Sequence, residues 1–176
     1  MHLALTDSRM PSDAMEGKPL QYDGLTPRGV LVVGMGDEAR GDRGVGLHLI
    51  YWLAQLDWPS SVVFCAADES VPERANRFAR VILLEALEGP SAPGALYQFD
   101  PEALLAHSVG GSGSGMGLLT MLPTPVRKRV AIFGVHPRTA SWGAPLSREV
   151  MASLPLVVPY LRARILAAAG ELARIN

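Results

Sequence analysis

The sequence predicts an α/β domain of three layers, α/β/α, built on a mainly parallel five-stranded sheet. Three observations lead there. Short β-branched runs recur along the chain without polar–apolar alternation, as expected of strands buried on both faces. Helical stretches separate those runs. The first run ends in a glycine-punctuated loop that leads into a helix, giving a strand, loop and helix in succession.

Residues 1–28 are polar, broken by Pro11, Pro19 and Pro27, and follow neither period 2 nor period 3.6. They read as a flexible N-terminal extension to a domain at 29–176. VLVVG is the first strand, from Val30 to Gly34, and the helix after its loop runs from Val45 to Leu56. SVVFCA at 61–66 and RVILLEA at 80–86 are the next strands. A turn containing Pro90 and Pro93 precedes GALYQF at 94–99, and RVAIFGV at 129–135 is the fifth strand. GGSGSGMG at 110–117 has no side chains with which to pack and reads as the most flexible internal loop. Ser147 is placed to cap a closing helical region, which Pro155 and Pro159 are expected to break or kink before it resumes over Tyr160 to Ile175. No internal repeat is present.

Composition narrows the function. A chain of 176 residues, 48% hydrophobic and 19% charged, is one domain with ample core material. Its 16 basic and 17 acidic side chains leave a net charge of −1, so no global positive field draws nucleic acid or an anionic membrane. The single cysteine, Cys65, forms no intramolecular disulfide, which removes a stapled secreted scaffold. No run reaches the roughly 18 apolar residues of a membrane span. Asp7 and Arg9 fall where a signal peptide needs its apolar centre. A cytoplasmic protein without membrane insertion is the expectation.

In open parallel sheets ligands bind at the carboxyl ends of the strands. The loops to read are those after Gly34, Leu84, Phe99 and Val135. The first, GMGDEARGDRGVG, matches a dinucleotide fingerprint at Gly34 and Gly36, but the third glycine comes at Gly41, too late for that spacing. Asp37 and Glu38 would also face the phosphates. A nucleotide-binding α/β enzyme using Gly34 to Gly41 and an acid such as Asp68 stays as a distant alternative.

The same loop, Gly34-Met35-Gly36-Asp37-Glu38-Ala39-Arg40-Gly41-Asp42-Arg43-Gly44-Val45-Gly46, more closely resembles the opening motif of the hydrogenase maturation endopeptidases, G-x-G-N-x-L-x-x-D-D/E-G-x-G. Glu85-Ala86-Leu87-Glu88-Gly89 through Pro93-Gly94-Ala95-Leu96 is similar to that family's second signature. Gly134-Val135-His136-Pro137, then Trp142-Gly143 and Leu146-Ser147 with Val150, is similar to its third. The three motifs stand in the family's order and cover roughly 30–173.

The resemblance implies a protein acting on the C-terminal region of a [NiFe]-hydrogenase large-subunit precursor. Members of the family recognise the nickel-loaded precursor and remove its short C-terminal extension, contacting the metal through an acid of the first loop, an Asp at the end of a strand, and a His. Carboxylate and imidazole donors suit a borderline divalent ion. Carried onto this chain, the first position is Arg43, a permanent cation. The second is Glu85, one methylene longer than Asp, and the third falls at Ser114 or Gly115, neither of which replaces an imidazole. Glu85 is the one metal-ligand position that keeps a donor.

The resemblance therefore points to lost or altered proteolysis, with a non-catalytic binding module or assembly factor as the alternative. No resident cofactor is expected, and any nickel is the substrate subunit's. Partner contacts are expected from Asp37, Glu38, Asp42, Arg43, Glu85 and His136. Arg43 and Glu85 are expected to form an ion pair that fills the vacated metal position, the alternative being two independently solvated side chains. Glu88 is a further available acid, and His107 would reach inward only if the glycine-rich loop folded back. The plainer roles are Asp42 as a cap, Asp37 and Glu38 as solvated loop acids, and His136 as a strand-end residue. His48 reads as a structural histidine, Cys65 as a core thiol, and Ser112 and Ser114 lack a nucleophile elbow. The GSGSG tract is a connector or a lip that orders against a partner peptide.

Overall fold

The computed structural model describes residues 27–107 and 114–175. Five strands, β1 (Val30–Gly34), β2 (Val62–Ala66), β3 (Arg80–Ala86), β4 (Leu96–Phe99) and β5 (Val130–Val135), form one sheet in the order β2-β1-β3-β5-β4. β1 pairs in parallel with β2 and β3, and β3 with β5, while the edge strand β4 runs antiparallel to β5. The mainly parallel α/β prediction holds, and the Pro90–Pro93 turn is what reverses the chain into β4.

Period-2 alternation sends the side chains of each strand to opposite layers. Val30, Val32, Ile82, Leu84, Phe133 and Val135 face one layer, formed by α1 (Val45–Ala54) and α6 (Arg148–Ile175). Leu31, Val33, Val81, Leu83 and Ile132 face the other, where α2 (Val71–Ala75), α4 (Ser114–Met121) and α5 (Thr124–Arg127) pack. Helix α3 (Pro101–His107) follows β4. These side chains are almost fully buried, which explains why the strands read as unbroken apolar runs.

Three expectations need correction. Helix α6 continues unbroken through Pro155 and Pro159. Both prolines lie on its exposed side, so the carbonyls they leave without an intrahelical donor, those of Met151 and Pro155, are on the water side. Meanwhile Val150, Leu154, Val157, Leu161, Ile165 and Ala169 form a continuous buried stripe on the other side. At about 1.5–3 kcal/mol for each large apolar side chain buried, that stripe outweighs roughly 3 kcal/mol per interior proline. This is also the one described helix long and apolar enough to cross a membrane, and its apolar stripe is committed to the core.

The second correction concerns the glycine-rich tract, whose end is helical: Ser114 to Gly117 open α4. Residues 108–113 lie outside the described residues, as do 1–26 of the N-terminal extension. Arg28 is already tied to the domain, its N–H donating to the Arg77 carbonyl at 3.1 Å. Third, α1 stops at Ala54, and the Leu56 N–H closes a tight turn on the Leu53 carbonyl. Ser147 caps α6 as expected, its Oγ accepting from the Val150 N–H at 3.3 Å.

Candidate functional site at the carboxyl ends of the strands

β1 has β2 on one side and β3 on the other, so the loop after β1 leaves the sheet at a topological switch point. It forms a kinked 3-10 segment, Glu38–Gly44. Asp37 caps that segment, its Oδ1 accepting from the Ala39 N–H at 2.9 Å. Gly36 has φ 123°, and the Arg43 carbonyl occupies the space a Cβ would need, so the loop closes on itself only with glycine there.

Asp42 is fully buried, and its carboxylate is already satisfied. Oδ2 accepts from the N–H groups of Arg138 at 2.7 Å and Thr139 at 3.0 Å, and Oδ1 from Ser147 at 2.6 Å. Its own N–H donates to the Thr139 carbonyl at 3.2 Å. The side chain thus clamps the loop after β5 to the loop after β1. Gly143 N–H to the Ala39 carbonyl at 2.7 Å, and the Arg40 guanidinium 5.4 Å from the Trp142 ring centre, extend that joint to the surface. Trp142 is 71% exposed, so the lip carries a large apolar side chain.

Glu85 is the other buried acid, 2% exposed. Its place follows from strand parity. Val81 and Leu83 face the α4 layer, so Glu85 does too, at the point where α4 begins. Oε2 accepts from the Gly115 N–H at 3.2 Å, one of the donors left unpaired at a helix start. Oε1 has no hydrogen-bond partner. Burial raises the carboxyl from an ordinary value near 4.5 to about 7, against smaller lowering effects from the Gly115 N–H and the Arg43 charge.

The expected Arg43–Glu85 ion pair does not form. The Arg43 guanidinium pairs with Glu88 at 3.6 Å, on the exposed side of the crevice, and reaches Glu85 only as a nearby charge. An arginine on a half-exposed loop keeps more hydration beside the solvated Glu88 than it would beside Glu85. His136 is committed as well. Its Nδ1 accepts from the Gly89 N–H at 3.3 Å, its N–H donates to Ala95 and its carbonyl accepts from Gly94, so it organises the turn before β4. Glu38 is exposed at the rim. A Cβ at Gly115 would overlap Glu85 Oε1. Among the described residues no group of three or more His, Cys, Asp or Glu is gathered as a metal site.

The remaining candidates take plain roles. Asp68 accepts from the N–H and Oγ of Ser70, at 2.8 and 2.6 Å, which lowers its pKa and ties it into the turn that starts α2. Cys65 is buried in β2, and burial pushes its thiol up. The parts missed from sequence are the Arg138–Thr139 amides and the Arg40–Trp142 contact. The spacing from Asp42 to Trp142 was visible, but the backbone donors were not.

In fold the chain is similar to several solved structures, among them three hydrogenase maturation enzymes. The hydrogenase 2 maturation peptidase of Thaumarchaeota archaeon SCGC_AB-539-E09 has 23% identity and TM-score 0.57, covering 78% of this chain and 98% of that one. HybD, a hydrogenase maturating endopeptidase of E. coli, has 18% identity and TM-score 0.69, covering 80% and 93%. HycI, a [NiFe] hydrogenase maturation protease of Thermococcus kodakarensis KOD1, has 19% identity and TM-score 0.63, also covering 80% and 93%. No protein-family model matches the sequence, and no curated protein matches it. The likeness at these identities is one of fold.

Proposed function

We propose that this chain binds the C-terminal region of a [NiFe]-hydrogenase large-subunit precursor through the crevice at the ends of β1, β3 and β5, with the proteolysis of its structural relatives lost or altered. One observation carries the reading. Where the three motifs imply a carboxylate, a carboxylate and an imidazole, this chain has the Arg43 cation, the buried Glu85 carboxyl, and Ser114 or Gly115, neither of which supplies an imidazole. Glu85 alone remains as a donor, and one monodentate oxygen is a poor holder of nickel. The nickel in this reading is the precursor's cargo, and the protein works in the cytoplasm.

The chain's own groups suit peptide binding. Arg43 offers N–H donors to a C-terminal carboxylate. The Asp42 clamp holds the two lips at fixed spacing, so less order is lost on binding.

The test incubates the full chain with a nickel-loaded large-subunit precursor, followed by gel filtration and intact-mass measurement. The expected result is a complex in which the precursor keeps its extension. Release of the extension at a defined bond would overturn the reading. The free Glu85 Oε1 favours a second reading, in which the precursor supplies the missing ligands and cleavage persists. In that case Glu85→Gln abolishes cleavage.

A further inference from the structure

We propose that the cleft between the starts of β3 and β5 and the second half of α6 binds a phosphate-bearing small molecule with an apolar body. This cavity of about 250 Å³ lies at the amino ends of the strands, opposite the crevice. Arg80 opens β3, and Glu85 is five positions further on, roughly 16 Å along the strand. The two sites are therefore separate.

Four cations line the cleft, Arg80, Lys128, Arg129 and Arg164, with Glu171 the only acid. None of the four has a carboxylate within 4.0 Å among the described residues, although acids outnumber bases in the chain. Like charges gathered this way repel one another unless an anion joins them. Arg129 is held in place by carbonyls: Nε donates to Pro125 at 3.2 Å and Nη1 to Phe78 at 2.8 Å. Its remaining N–H groups are left on a fixed plane, the arrangement that meets phosphate oxygens in pairs. Partial burial and the nearby Arg80 both lower its pKa, consistent with a cation short of counter-charge.

The walls decide what carries the phosphate. Ala131, Phe133, Ala167 and Ala168 supply an apolar surface beside the cations. Such a wall contributes nothing to free phosphate but can cover an aromatic or alkyl group. A cleft of this size also suits a small molecule better than an acidic polypeptide, which needs an extended groove.

Calorimetry at constant ionic strength, with phenyl phosphate, inorganic phosphate and hexaglutamate as probes, tests the proposal. Phenyl phosphate should bind one to one and at least tenfold tighter than inorganic phosphate. The Arg80→Ala/Arg164→Ala variant, altered at two exposed side chains, should lose at least tenfold in affinity with an unchanged melting temperature. If that variant does not fold, Arg164→Gln alone should weaken binding several-fold. Amide shifts on binding should centre on Ala131 and Ala168 and leave Gly115 unmoved. Absence of binding, equal affinity for the two phosphates, equal affinity in the variant, or tighter binding of hexaglutamate would each overturn it.

Discussion

The Gly115 N–H donates to Glu85 Oε2 at 3.2 Å, and no side chain fits between them, since a Cβ on Gly115 would overlap Glu85 Oε1. The start of α4 is thereby packed directly on a buried carboxyl. Gly115→Ala should push that carboxyl aside and destabilise the protein by about 1–3 kcal/mol. Gly117, two residues on in the same helix, has open space at its Cβ position. Gly117→Ala should instead stabilise by roughly 0.5–1 kcal/mol. Urea unfolding of the two variants checks the opposite signs.

The titration of Glu85 sets a pH dependence. Below its unfolded value near 4.5 the carboxyl is protonated in both states, and above its folded value of about 7 it is ionised in both. Between the two the folded state binds more protons, so this group's contribution falls as pH rises through that window. The full change is on the order of 3 kcal/mol. Glu85→Gln removes it, so wild type should lose stability relative to the variant between pH 4.5 and 7. Unfolding curves from pH 4 to 8 measure this, and parallel profiles would refute it. Arg43→Ala should move the Glu85 titration further up, because the Arg43 charge lowers it.

Asp42 and Asp37 stand in one loop but carry different loads. Asp42→Ala leaves three partly buried backbone N–H groups without their acceptor and should cost about 2–4 kcal/mol. Asp37→Ala removes one exposed cap and should cost about 1 kcal/mol. Chemical denaturation ranks them.

Helix α6 predicts a gain as well as a loss. Pro155 is on the exposed side within a continuous helix, so Pro155→Ala should stabilise by about 1–3 kcal/mol. Leu161 is fully buried, and Leu161→Ala should cost about 2–5 kcal/mol. Melting temperatures should move in opposite directions.

What the sequence disclosed follows from the range of each interaction. The five strands were legible because burial on both faces writes apolar runs, as in VLVVG and RVILLEA. The continuity of α6 was hidden, because two prolines argue locally against a helix and only the tertiary stripe from Val150 to Ala169 overrides them. At the site, motif spacing pointed to Arg43, Glu85 and Ser114 or Gly115, but not to their partners. Arg43 chose Glu88 over Glu85 through hydration, which a sequence does not write. Asp42 read as a cap, while its donors lie about a hundred positions away.

The most direct test of the proposal that this crevice no longer holds a metal is titration of the purified full chain with nickel and cadmium at pH 7.5, followed by the same titration of Arg43→Glu/Glu85→Asp/Ser114→His. Wild type should take up neither ion at micromolar concentration, and the triple variant, folded, should bind at least one of them. Tight nickel binding by wild type, lost in Glu85→Gln, would contradict it.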